Sequence, residues 1–453
     1  MTAVSGQMND SAGLLRGMRS ACLIFHVTVV LVVLLIPARA FTEATAANAD
    51  RLAIDIERKV IEWRRDIHSH PELSNREFRT AAMVAEHLES LGFEVRTGIA
   101  HTGVLGVLKG GKPGSVVALR ADMDALPVTE AVDLPFASKV KTEYNGQEVG
   151  VMHACGHDCH TAILMGVAEV LSGVRDELSG TVKFIFQPAE EGAPAGEQGG
   201  AGLMVREGVL DDPSPEAVFA LHVSVDQEAG EIAYRPGGAM ASADGLRITV
   251  HGAQSHGAYP WKGVDPVVVS AQIILGLQTI TSRQLDLTRA AAVVTVATIH
   301  GGVRSNIIPD KVELGGTIRS LDPAMRDDIH ERIKRTAVSI AESGGATAEV
   351  RIGKGGSITW NDPALTERMV PSLRRVAGDE NVILSPAHTG AEDFAVFADR
   401  VPSLYFWLGI TPPGTDPATV ASLHSPYMRV DEDALVLGVR AMTAVTVDYL
   451  AGE

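Results

Sequence analysis

Positive charge is scarce in this chain: 39 lysines and arginines face 56 aspartates and glutamates, a formal net charge of −17. Nothing in that balance would neutralise phosphates, so nucleic acid and anionic membrane surfaces are disfavoured as partners. Cysteine is scarcer still, three in 453 residues, and Cys22 falls in an N-terminal apolar segment. The remaining two, Cys155 and Cys159, cannot make a disulfide framework, and their C-x-x-x-C spacing is not the C-x-x-C of a redox pair. Internal repeats and long low-complexity linkers are absent as well. What is present, 45% hydrophobic and 21% charged residues, describes a folded protein rather than a disordered one. The length exceeds one ordinary core, so two domains are expected.

Residues 1–40 stand apart. Arg16 and Arg19 precede the apolar run "ACLIFHVTVVLVVLLIP", Ala21 to Pro37, which is followed by "ARA" at Ala38–Ala40. Basic flank, apolar core and small-residue site are the parts of a secretory signal, with cleavage expected after Ala40. An uncleaved N-terminal anchor is the alternative, because the run is near the lower length limit for a membrane span. On either reading the body of the protein is expected to be exported, periplasmic or secreted.

Beyond residue 50 helical and strand patterns alternate. "ERKVIEWRRDIHSH" and "EFRTAAMVAEHLESLG" have helical periodicity, the second closing at Gly92 as a C-cap would. "VVALRADMDAL" and "TVKFIFQPAEE" are apolar runs ending in carboxylates, and "AVFALHV" ends near a histidine. Parallel strands deliver polar residues to their C-terminal ends in this way. From Gly237 to Gly356 the order becomes β-α-β-β-α-β, the split ferredoxin-like unit. The expected architecture is therefore α/β: a mixed, mainly parallel sheet flanked by helices, interrupted by an inserted ferredoxin-like domain. Residues 41–236 and 357–453 would form the first domain and residues 237–356 the insertion.

Chemistry-bearing residues crowd "GVMHACGHDCHTAILMG", Gly150 to Gly166. Cys155 and His157 flank Gly156, which lets the backbone bring a thiolate and an imidazole to one point, a normal pairing for zinc and similar divalent ions. In "FIFQPAEEG", Glu190 and Glu191 follow an apolar strand that Pro188 ends. Neighbouring glutamates in extended chain point opposite ways, so one could hold a metal while the other faces a water; a solvated acidic turn is the plainer alternative. His222 in "ALHV" and His424 in "SLHSP" are single histidines, and a lone histidine is more often a hydrogen-bonded structural residue than a ligand. "LRADMDALP" offers Asp122 and Asp124; one could orient a ligating imidazole, although Arg120 beside them permits a plain salt bridge.

Taken in order, "WRRDIHSHPELSNREFRTA", "LRADMDALPVTE", "MHACGHDCHTAILMG", "FIFQPAEEG", "ALHV", "HGAQSHGAYPWKGVDPV", "GGVRSNIIPD" and "HTGAEDFAVF" resemble the N-acyl-amino-acid amidohydrolases. That group includes hippurate hydrolases and hydrolases of indole-acetyl-amino-acid conjugates, a branch of the dinuclear-metal aminoacylase and carboxypeptidase superfamily. The resemblance runs from about Arg51 to the C-terminus. It implies two divalent ions per subunit (zinc, manganese, cobalt or nickel) held by Cys155, His157, Glu191, His222 and His424, with Glu190 as general base. It implies further that the insertion is a lid and dimerisation domain in a homodimer. His256 would reach the partner subunit's site to polarise the scissile carbonyl, and Asn306 and Arg319 would grip the substrate. Where relatives carry Ala or Gly after "CGHD", this chain has Cys159.

The expected reaction is hydrolysis of the amide bond of an N-acyl amino acid by metal-activated water, with Glu190 moving the proton. A carboxypeptidase or dipeptidase on the same scaffold is the alternative. A binding protein that has lost catalysis would lack ligands or the base, and none of the six positions is missing.

Overall fold

The computed structural model describes residues 43–452. The segment read as a signal or anchor, residues 1–40, and Cys22 within it lie outside the described residues.

An eight-stranded sheet runs in the order Glu94–Ile99, Gly103–Lys109, Ser179–Gln187, Lys112–Asp122, Ala217–Glu228, Ser403–Thr411, Ile232–Tyr234, Val382–Leu384. The four central strands, Ser179–Gln187 to Ser403–Thr411, are mutually parallel, and antiparallel pairs occur toward both edges. The sheet is thus mixed and mainly parallel, as expected.

Side chains alternate between faces along each strand, and the two faces bury different cores. Phe219, Leu221 and Val223 pack with helices Glu57–Ser69, His157–Gly173, Pro363–Ala377 and Ala434–Ala451 on one side. Val218 and Ala220, with Tyr405 and Trp407, pack against Met204, Phe394 and Phe397 on the other. Every one of these strand residues is at most 4% exposed, and each buried Phe or Leu contributes on the order of 2 kcal/mol relative to exposure.

The chain from Asp244 to Lys354 builds a separate four-stranded antiparallel sheet, ordered Ala292–Gly301, Lys311–Ser320, Asp244–His251, Thr347–Lys354. Helices Pro266–Thr279 and Pro323–Ser343 cover one face, where Ile248, Val250, Leu314 and Ile318 meet Ile273, Leu277, Ile329 and Ile333. Both helices begin Asp-Pro. Asp265 accepts the Val267 amide at 2.9 Å and Asp322 the Met325 amide at 2.8 Å, while proline supplies a preset φ and lacks the N–H that would go unpaired. The first helix is shorter than its periodicity suggests: after Thr279 the ladder loosens into a wider turn over Ile280–Gln284.

Candidate metal centre

The titratable residues collect at the C-terminal ends of the parallel strands. Lys112–Asp122 delivers Asp122 and, two residues on, Asp124. Ser179–Gln187 leads through Pro188 and Ala189 to Glu190 and Glu191, and His222 sits within Ala217–Glu228. Helix His157–Gly173 aims its N-terminus at the same place. Gly156, which precedes it, has φ +92°, and a Cβ there would stand 2.2 Å from Val223 Cγ2. Only glycine lets the helix start press this closely on the His222 strand. Ala189 (φ 52°) and His424 (φ 66°) also occupy the left-handed region, a strain of order 1–3 kcal/mol each that the surroundings must hold.

All five residues expected to hold metal are brought together. Cys155 Sγ lies 3.5 Å from His222 Nε2 and 3.3 Å from His424 Nε2, and His424 Nε2 is 3.1 Å from Glu191 Oε1. Their atoms form two groups, Cys155–His157–His222 and Cys155–Glu191–His424, each within 4.8 Å, with Cys155 common to both. Glu190 joins His157 and Glu191 in a third such group.

The donor set suits divalent ions. His157 Nδ1 donates to the Asp124 carbonyl at 2.8 Å and His222 Nδ1 to the Val223 carbonyl at 2.6 Å, so in both rings Nε2 is the free lone pair. His157 Nε2 is buried without a hydrogen-bond partner, a costly condition that a bound cation would relieve.

Around this cluster the carboxylates are tightly organised. Asp124, 1% exposed, accepts from Ser74 Oγ (2.7 Å) and from the amides of Glu190 (3.0 Å) and Glu191 (3.1 Å). Arg120 spans Gln187 (2.8 Å), Asp122 (2.6 Å), Glu392 (2.8 Å) and Asp393 (3.1 Å). Asp122 in turn holds His160 Nδ1 at 2.5 Å, and His160 Nε2 accepts the Val223 amide. Burial first, then Glu392 and Asp393, push the Glu190 carboxyl well above its usual range. Against burial, Arg64 and His68 hold the Asp158 carboxyl well below it.

Several details go beyond the reading of the sequence. His157 is oriented by the Asp124 carbonyl, while the Asp122 carboxylate serves His160 and Arg120. His153 is buried, its pKa pushed down to about 3 mainly by that burial, and neither ring nitrogen has a partner. Cys159 packs in the main apolar core, 0% exposed. His256 and Asn306 are neighbours of one another, the Gly257 amide donating to the Asn306 carbonyl at 2.9 Å, and both are exposed. Neither they nor Arg319 line the cavity of ≈510 Å³ beside Cys155, Glu190, His222 and His424. Arg120, Glu392 and Asp393, which also structure the site, were not among the residues expected to act there. The "RADMD" and "GAEDF" strings were their only trace.

Residues 118–448 match the family described as Peptidase family M20/M25/M40. Thermostable carboxypeptidase 2 of Saccharolobus solfataricus is 41% identical, the alignment covering 87% of this chain and 96% of that one. N-acetylcysteine deacetylase of Bacillus subtilis is 36% identical over 86% of this chain and 97% of its own length. Among solved structures, the YXEP protein of Bacillus subtilis, titled a dinuclear metal binding peptidase from the M20 family, superposes with a TM-score of 0.73 at 34% identity, covering 87% of this chain and 99% of that one.

These comparisons contradict the exported placement expected from residues 1–40, because relatives such as the deacetylase and the carboxypeptidase are typically cytosolic. Apolarity is a weak discriminator here: the core helix Ala434–Ala451 is also long and apolar enough to pass for a membrane span, yet is mostly buried. Cys155 and Cys159 are both free thiols. The chain belongs to the M20/M25/M40 peptidase family and is a metal-dependent hydrolase of amide and peptide C–N bonds.

Proposed function

We propose that the protein hydrolyses the amide bond of N-acyl amino acids, using two divalent ions held by Cys155, His157, Glu191, His222 and His424. The observation that carries this reading is the pair of donor groups sharing Cys155, one of them including the unpartnered His157 Nε2. Zinc, manganese, cobalt and nickel all suit such a mixed S, N and O set. When bound, the ions supply polarisation of the amide carbonyl and acidification of a water.

Glu190, 3.9 Å from His157 and touching the Asp393 amide at 3.4 Å, is the base. It takes one proton as the water oxygen bonds to the carbonyl carbon, then returns it to the nitrogen as the C–N bond breaks. The products are the free acid and the free amino acid. His256 reaches the site of a partner subunit and steadies the oxyanion. Asn306 and Arg319 grip the amino-acid half, the guanidinium pairing with its carboxylate. Exposed Tyr259, Trp261, Leu275, Ile299 and Val303 on the inserted segment support a homodimer through that domain.

Glu190→Gln is expected to abolish turnover while bound metal stays near the wild-type amount; lost metal would instead make Glu190 a ligand. Mixing His256→Ala and Glu190→Gln subunits is expected to restore part of the activity if His256 acts in trans, and none if it acts within its own chain. The carboxypeptidase name of the 41%-identical relative supports a second reading, peptide cleavage at the same centre. Parallel assays of N-acyl amino acids and dipeptides separate the two.

A further inference from the structure

Ala189 stands one residue before Glu190 and holds φ 52°, in the left-handed region that a residue with a Cβ seldom adopts. Its amide donates to Glu77 Oε1 at 2.9 Å. The next two amides, of Glu190 and Glu191, donate to Asp124 at 3.0 and 3.1 Å. Three consecutive N–H groups are thus drawn onto two buried carboxylates. Glu77 immediately precedes the helix Phe78–Ser90, so the carboxylate that takes the Ala189 amide is carried by a rigid element.

Glu77 meets more than one group. Its Oε1 also accepts the Asn75 amide at 3.0 Å, and its Oε2 accepts the Thr102 hydroxyl. Asn75, buried at φ 60°, donates its side-chain amide to Glu197 Oε2 and to the Gln198 carbonyl, each at 3.0 Å. Glu77 and Asn75 therefore pin the two ends of residues 189–198, the segment that carries Glu190 and Glu191. Between those ends Gly192, Ala195 and Gly196 are exposed, so packing does little to hold the segment. Burial, then the nearby Asp124, raise the Glu77 carboxyl above its ordinary range, a cost that an apolar side chain at this position would avoid.

We propose that Glu77 is a positioning residue for the hydrolysis: by holding the Ala189 amide it keeps the backbone in the left-handed turn from which Glu190 and Glu191 diverge, one toward the water and the other toward the ions. The inference rests on the reading of Glu190 as the base. Released from Glu77, Ala189 relaxes to negative φ and the two carboxylates that follow swing away from the centre; a misplacement of about 1 Å can cost ~100-fold in rate.

The test is kcat and KM per folded, metal-saturated chain, on the best-cleaved substrate among N-acyl amino acids and dipeptides. Glu77→Ala and Glu77→Gln are each measured with the native Ala189 and with Ala189→Gly. Glu77→Ala is expected to lower kcat ~30–100-fold while KM stays within about threefold, the split expected of misplaced reacting groups. Glu77→Gln, whose Oε1 still accepts both amides, should lose less than ~5-fold. Glycine takes the left-handed turn without strain, so the Glu77→Ala penalty should shrink at least ~5-fold when measured beside Ala189→Gly. Where Glu77→Ala does not fold, Glu77→Asp takes its place, keeping the charge but drawing it back by one methylene. A kcat within about threefold of wild type overturns the proposal. So does a Gln penalty as large as that of Ala, or a penalty that Ala189→Gly leaves unchanged, the patterns of a carboxylate that only supports the fold. Full turnover in Glu190→Gln is a separate failure: it overturns the reading of Glu190 as base, and this inference with it.

Discussion

Asp124→Asn is the substitution that most sharply probes how the centre is held. The carboxylate is buried and accepts three hydrogen bonds, from Ser74 Oγ at 2.7 Å and from the Glu190 and Glu191 amides at 3.0 and 3.1 Å. Asparagine keeps the shape but turns one oxygen into an NH₂ group that faces an N–H donor, and it removes the charge from the rest. Hydrogen bonds to a charged group contribute about 1.5–3 kcal/mol each. Losing one and weakening the others therefore amounts to about 3 kcal/mol, or ~100-fold in rate if expressed wholly as misplacement of the two glutamates. The assay is kcat and KM at saturating metal on the best N-acyl substrate, read beside a thermal melt and the bound metal content. The fall is expected in kcat rather than KM, with Ser74→Ala, which removes one donor of the three, costing less than ~10-fold. A kcat/KM within threefold of wild type, or a loss explained entirely by unfolded protein, would refute the positioning role.

Three other consequences follow from the same contacts. Arg120→Met leaves Asp122, Glu392 and Asp393 without the buried guanidinium that joins them and should cost about 3–5 kcal/mol in denaturant unfolding. Arg120→Lys should recover little, because an ammonium cannot match the planar fork across four acceptors. Cys159→Ala should keep both metal content and turnover near wild type and cost about 1 kcal/mol of stability, the behaviour of a core thiol. In the inserted sheet, burial alone would raise the Asp244 carboxyl. Hydrogen bonds from Arg326, the Gly355 amide and His330 outweigh it and hold the group below its usual value. A depressed folded pKa gives stability that is present above the unfolded value, about 3.9, and lost as pH falls through the folded one. Acid unfolding below about pH 4 should therefore be shallower in Asp244→Asn than in wild type.

Much of the fold is legible in the residues because local signals agree with one another. Asp-Pro marks three helix starts, Asp265–Pro266, Asp322–Pro323 and Asp362–Pro363. The continuous apolar run that opens Ala217–Glu228 foretells a strand buried on both faces. The donor set Cys155, His157, Glu191, His222 and His424 is legible for another reason, the resemblance of its motifs taken in order; alone, His222 within its strand and His424 in a loop carry no such signal. What stays hidden is whatever depends on contacts between distant segments. Arg120 looks like half of a surface ion pair with Asp122 until folding brings Glu392, 272 positions away, to the same guanidinium. Asp124 gains its meaning only when the chain beyond Gln187 turns its amides toward it. The hairpin at Lys141–Gly150 escapes notice because its strands are exposed, so no apolar periodicity announces them. The apolar run before residue 40 misleads in the opposite sense, a strong local pattern whose implication the relatives contradict.

The central claim, a pair of ions sharing Cys155, is tested most directly by counting divalent metal per chain in purified protein by elemental analysis, in wild type and in Cys155→Ala. The account predicts close to two ions in wild type. It predicts a sharp loss in Cys155→Ala, whose substitution removes a donor common to both groups. Two ions retained in Cys155→Ala, or a fully active wild type holding none, would contradict it.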